Sequence, residues 1–115
     1  MAYKINRFLL CTEGKHNKIW GYVTLGEPGS SRLYNFWGKV GAKLGFQEHN
    51  GNFDTALQFH KQAEEKCRPG RKSGTYKAIP IDQIENHFPG WIESFEKQLT
   101  LAKLFESWRG KKEDE

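Results

Sequence analysis

Asn35, Trp37 and Lys39 occupy alternate positions in the stretch Asn35-Phe36-Trp37-Gly38-Lys39-Val40-Gly41. Residues two apart in an extended strand share a face, so an amide, an indole and an ammonium project together, while Tyr34, Phe36 and Val40 project the other way. That trio suits a polyanion that also offers a flat surface: the amide and ammonium reach phosphate oxygens, and the indole stacks on a base or sugar. The competing reading is packing, because a strand tryptophan is more often buried than functional. A second stretch, Lys66 to Lys77, carries Lys66, Arg68, Arg71, Lys72 and Lys77 with no acid among them. Its Ser73 and Thr75 hydroxyls and its Gly70 and Gly74 fit close backbone approach to phosphate, and it reads equally well as a solvated basic loop. With Lys43, these residues make up the candidate nucleic-acid-binding set.

Other chemistries find no support in the residue spacing. His16, His49, His60 and His87 do not combine with Cys11 and Cys67 into a metal-ligand pattern. There is no Walker loop and no GxGxxG. Glu93 and Glu96 read as the solvated edge of a helix, and no nucleophile sits beside a base. The expectation is a protein that is not an enzyme and uses no cofactor or metal. Cys11 and Cys67 lie far apart without a CxxC, which favours two free thiols in a reducing compartment over a disulfide. The N-terminal residues lack an apolar leader, and no run approaches the length of a membrane span. A soluble, cytoplasmic protein is expected, with nucleoid or nucleus also open.

A chain of 115 residues fits one compact domain, and a net charge of +4 is less informative than its distribution. Residues 1–81 hold 13 Lys/Arg against 6 Asp/Glu, a net +7; residues 82–115 hold 5 against 8, a net −3. A basic body with an acidic C-terminal segment is compatible with a phosphate-rich partner.

The elements that must position these side chains follow from periodicity. A strand is predicted within Tyr3–Leu10, with imperfect alternation, and a turn over Thr12–Asn17. Lys18–Leu25 is a second strand; Ile19, Gly21, Val23 and Leu25 share one face and Trp20, Tyr22 and Thr24 the other, so both faces must be covered. A loop over Gly26–Ser31 leads into a third strand, Arg32–Val40, which pairs with the second as a hairpin. Gly41–Gln47 is predicted to hold a short fourth strand after a bend, with a turn at Glu48–Gly51. Phe53–Cys67 is a helix capped by Asn52, with Asp54 in its first turn. Its apolar stripe is Phe53, Ala56, Leu57, His60, Ala63 and Cys67, with His60 as a core residue. Pro69-Gly70 stops it, and a strand follows at Tyr76–Ile79. Asp82 and Glu85 have capping-box spacing on a short helical turn. Trp91–Trp108 reads as a helix whose apolar face, widened by Leu101, Leu104 and Trp108, is broader than one small sheet requires. Trp91, Phe95, Leu101, Leu104 and Trp108 are therefore candidate protein-interaction residues, with packing onto the rest of the chain as the simpler use of the same face. The expected organisation is a domain over 1–80, a helical extension over 81–109 and a disordered charged tail over 110–115. The fold class is α+β.

At Trp37-Gly38-Lys39-Val40-Gly41 the chain resembles the WGR domain, named for a Trp-Gly-Arg signature followed by Val-Gly. The likeness extends to the aromatic strand Arg32-Leu33-Tyr34-Asn35-Phe36, to Gly45, to the helix opening Phe53-Asp54-Thr55-Ala56-Leu57-Gln58-Phe59, and to Lys66 and Gly74-Thr75-Tyr76. It covers roughly residues 3–80. The resemblance implies a small antiparallel sheet with one helix across it. It also implies DNA binding at ends or breaks, as in poly(ADP-ribose) polymerases, with Trp37 packed on the terminal nucleotide and basic side chains on nearby phosphates. Two departures stand out. Lys39 replaces the signature arginine, a point charge in place of a rigid fork. The polymerase catalytic domain has no counterpart, so no ADP-ribose transfer is implied. The resulting expectation is a non-enzymatic module that binds duplex DNA ends or nicks; RNA as the ligand stays open. The alternative is a module that binds or inhibits a larger DNA-processing protein, or a second copy of itself, through the C-terminal helix.

Overall fold

The computed structural model describes residues 3–26 and 32–113, with side chains as far as Leu104. Five strands form a single antiparallel sheet: β1 (Tyr3–Cys11), β2 (Lys18–Leu25), β3 (Arg32–Lys39), β4 (Gly45–Asn50) and β5 (Lys77–Ala78), in the order β4-β3-β2-β1-β5. Helix α1 (Phe53–Lys66) packs across it, and a C-terminal helix completes an α+β fold. The loop at 27–31 and the last two residues of the expected tail lie outside the described residues.

The β2–β3 hairpin sets the faces. Lys18 lies opposite Lys39, Trp20 opposite Trp37, Tyr22 opposite Asn35 and Thr24 opposite Leu33. Trp20, Tyr22 and Leu33 turn toward α1, where they pack with Leu9, Cys11, Phe59, Ala63 and Tyr76. The opposite face carries Ile19, Val23, Tyr34 and Phe36 with Ile5 and Phe8, all buried. The imperfect alternation of the first strand has a physical cause: its register with β2 shifts between Ile5 and Arg7. A bulge there puts Ile5 and Phe8, three apart, on one face and Arg7 and Leu9 on the other. Gly21 faces Phe36 across the hairpin, and a β-carbon there would stand 2.4 Å from Phe36 Cζ. Only glycine leaves room for the ring.

Several boundaries and one face differ from the sequence reading. The third strand ends at Lys39, and the fourth runs Gly45–Asn50, so the expected turn at Glu48–Gly51 is mostly strand. It pairs with β3 along its length, from Trp37↔Gly45 to Arg32↔Asn50. In α1, Asn52 caps as expected, its Oδ1 accepting from the Thr55 N–H at 2.8 Å. The buried stripe, however, is Ala56, Phe59, Ala63 and Cys67. Phe53 is 78% exposed and Leu57 is exposed as well. Phe59 wins the inward position because it meets three rings: Trp20 at 6.2 Å, Tyr22 at 5.6 Å and His49 at 4.9 Å. His60 is half exposed and faces Arg7 (3.1 Å) and Glu64 (3.0 Å), so it is a polar contact and not a core residue.

The chain divides into two compact units, one ending at Ile81 and one beginning at Asp82. In the second, α2 (Ile84–His87) follows a 3-10 turn at Ile81–Gln83, and α3 spans Trp91–Glu113. Asp82 and Glu85 do not form a capping box. Glu85 instead accepts from the N–H groups of Gly90 (2.9 Å) and Ile92 (2.8 Å), which places its carboxylate at the positive end of α3. The segment expected to be a disordered tail is helical through Glu113. Among the described residues no helix is long and apolar enough to cross a membrane.

Candidate nucleic-acid interface

Three strands meet at the end of the sheet where β3 runs out. Trp20, Trp37 and Gly45 stand side by side there, one on each of β2, β3 and β4. Trp20 is buried beneath α1, whereas Trp37 is 41% exposed. The difference lies in the neighbours. Phe59 reaches Trp20, while the Trp37 indole lies against Gly45 of β4. A β-carbon on Gly45 would lie 2.7 Å from Trp37 Cε2, 2.8 Å from Cζ2 and 2.9 Å from Nε1. The missing side chain of Gly45 is thus the seat of the ring, and much of Trp37 remains exposed.

The cations around this ring divide into engaged and uncommitted groups. Lys39 and Lys43 are exposed near Trp37, and Lys72 is exposed in the loop after α1; none pairs with a carboxylate among the described residues. Lys18, directly opposite Lys39, donates from Nζ to the Ser73 carbonyl at 3.0 Å. That bond ties the basic loop to the same end of the sheet. Tyr76 stands at the centre of the engaged group, with Lys18 Nζ and Lys66 Nζ each 5.5 Å from its ring centroid and the Arg71 guanidinium at 6.0 Å. Lys66 Nζ also lies 5.2 Å over Trp20. Arg71 donates to the carbonyls of Lys66 (3.2 Å) and Gly74 (3.3 Å), holding the loop closed on the end of α1.

Such a concentration of positive charge is felt by its members. Burial, together with the nearby Arg71 and Lys18 cations, pushes the Lys66 ammonium below its ordinary value. Burial pushes the Tyr76 phenol up, and Arg71 opposes that only in part. Among the described residues no carboxylate pairs with Lys18, Lys66 or Arg71. The partners that an anion would compete with there are the Ser73 carbonyl for Lys18 and the Trp20 and Tyr76 rings for Lys18 and Lys66, none of them charged.

The remaining candidates sit apart from this group. Asn35 shares the Trp37 face, but its Nδ2 donates to the Gly21 carbonyl at 2.8 Å, so the amide is committed within the sheet. Arg68 pairs with Glu65 at 3.0 Å. Lys77 lies opposite Leu10, which in turn lies opposite Ile19; it therefore projects from the face away from Trp37. Lys18, Gly45 and Tyr76 belong to the site and were missed as candidates. Lys18 was recoverable from the hairpin, since pairing the second and third strands sets it opposite Lys39.

The C-terminal candidates also separate. Phe95 is buried, and Trp91 stacks on it at 4.8 Å with the planes 12° apart, so neither offers a free side chain. Leu101 and Leu104 are 56% and 60% exposed. The Trp108 side chain lies outside the described residues. Both cysteines are free, Cys11 buried and Cys67 half-buried. Among the described residues no group of His, Cys, Asp and Glu could hold a metal ion.

Comparison of the chain with family models, with curated proteins and with solved structures finds no match. What the geometry itself defines is a small α+β module with an aromatic, strongly basic surface at one end of its sheet.

Proposed function

We propose that this chain is a non-enzymatic, WGR-like module that binds duplex DNA at ends or nicks. The observation that carries the reading is the Trp37 indole, seated against Gly45 and 41% exposed, with the exposed Lys39 two residues further along the same strand. A terminal or nicked base pair exposes a flat apolar surface that an intact duplex hides within its stack. Trp37 covers that surface, and Lys39, Lys43 and Lys72 with the Tyr76 cluster hold the adjoining phosphates. Lys39 acts as a point charge, so it positions the backbone without bidentate geometry. Such contacts read shape and charge with little sequence preference. The test is a gel-shift series on blunt duplex, nicked duplex, closed circle, single strand and RNA, each at two salt concentrations. Blunt and nicked duplexes are expected to bind best; equal binding to the closed circle overturns end recognition, and preference for RNA reassigns the ligand.

A second reading rests on Leu101 and Leu104, large apolar side chains exposed on α3. In it the helix binds a larger DNA-processing protein or a second copy of this chain. Such a complex persists at about 0.5 M salt, where exposed charge contacts are largely screened. Survival of every complex after Leu101→Ser and Leu104→Ser together removes this reading.

A further inference from the structure

We infer that Ser73 is a phosphoacceptor for a basophilic serine kinase, and that its phosphate docks on the Lys18–Lys66–Arg71 cluster around Tyr76. Ser73 is exposed in the loop after α1, preceded by Arg68, Arg71 and Lys72. Arg68 and Lys72 are exposed and Arg71 half-buried, so cations stand one, two and five residues ahead of the hydroxyl. A kinase cleft lined with carboxylates recognises that chemistry. The neighbouring hydroxyl is not equivalent: Thr75 Oγ1 donates to the Arg68 carbonyl at 2.9 Å and is tied into the loop.

The reaction forms the bond from Ser73 Oγ to the γ-phosphorus of ATP and breaks the bond from that phosphorus to the bridging oxygen. ADP leaves, and the hydroxyl proton passes to the kinase base. The product adds about −1.5 to −2 charges and three acceptor oxygens. They arrive beside a lysine already placed for them, since Lys18 Nζ lies 3.0 Å from the carbonyl of Ser73 itself. Lys66 and Arg71 supply two further cations that pair with no carboxylate among the described residues. An occupied cluster is closed to any other phosphate. Modification therefore switches off the surface assigned above to DNA; this last step alone rests on that assignment.

The experiment treats the full chain with ATP and a basophilic serine kinase and maps the phosphate by mass spectrometry. One phosphate at Ser73, absent from Ser73→Ala, is expected. The phosphorus resonance of the product is then titrated: docking lowers the second phosphate pKa below the free value of about 6, and Lys18→Ala returns it toward that value. Phosphate placed elsewhere, or none, overturns the acceptor; an unshifted titration overturns the docking. Gel shifts on nicked duplex close the test. The modified chain is expected to bind at least tenfold more weakly than Ser73→Ala, and equal affinity overturns the switch. If the unmodified chain binds no nucleic acid, the DNA assignment fails while the mapping and the titration still decide the phosphate site.

Discussion

Trp37 and its seat can be separated by substitution. Trp37→Ala removes the stacking surface and is expected to weaken binding to nicked or blunt duplex by about 1–3 kcal/mol, by analogy with aromatic–base stacking. Binding to a closed circle changes little, because phosphate contacts alone serve there; equal losses on both, measured by competition gel shift, count against end recognition. Gly45→Ala keeps the ring and removes the seat, since the new β-carbon would stand 2.7 Å from Cε2. It is expected to weaken end binding in the same direction while leaving closed-circle binding in place, and unchanged end affinity refutes the seat. The alternation of Asn35, Trp37 and Lys39 was legible in the sequence. The ring-over-glycine contact was not, because Trp37 and Gly45 become neighbours only through the β3–β4 register. Nor does alternation reveal that the Asn35 amide is consumed by the Gly21 carbonyl.

The lesson at the scale of elements lies in α1. A 3.6-residue period located the helix and its Asn52 cap, yet placed Phe53 and Leu57 inside. Phe53 and Phe59 are the same side chain in the same helix, and only the aromatic floor of Trp20 and Tyr22 decides which of them is buried. Phe59→Ala should cost about 3–5 kcal/mol, the range for truncating a buried phenylalanine. Phe53→Ala should stay within about 0.5 kcal/mol, as for an exposed position. Urea unfolding of the two variants checks the contrast, and similar losses would show that the helix presents a different face. The aromatic floor also has a titration signature. Burial raises the phenols of Tyr22 and Tyr76 above their ordinary 10.0, so the folded state keeps protons that the unfolded state gives up. Stability from these groups is complete below pH 10.0 and falls as pH rises through their folded values. Lys66 opposes this: its lowered value penalises the folded state most at low pH and releases the penalty toward 10.5. Tyr76→Phe should therefore show a shallower loss of thermal midpoint between pH 10 and 11 than the parent protein. An unaltered slope means that Tyr76 does not ionise on unfolding.

Across the whole molecule, charge is sorted along the chain, with a net +7 before residue 82 and a net −3 after it. The sequence showed that asymmetry directly, but not which cations stand together. Lys77 and Lys39 count equally in a sum, yet they project from opposite faces of the sheet. Lys18, overlooked because it opens a strand and not a basic run, belongs with Lys39 and Ser73. This sorting makes a prediction that total charge does not. Each cation resting on a duplex phosphate contributes about 0.9 to the slope of log affinity against log salt concentration. Replacing Lys39, Lys43 and Lys72 together by Ala should lower the magnitude of that slope by about 2.7 if all three touch phosphate. Replacing Lys77 alone, on the other face, should leave it unchanged at the same total cost in charge per residue. A slope that tracks the number of lysines removed, wherever they lie, would show that the protein attracts DNA as a diffuse polycation. A slope that responds only to the Trp37 end would localise the contact to a surface that combines the Trp37 ring of β3 with lysines from the end of that strand, the turn after it and the loop after α1.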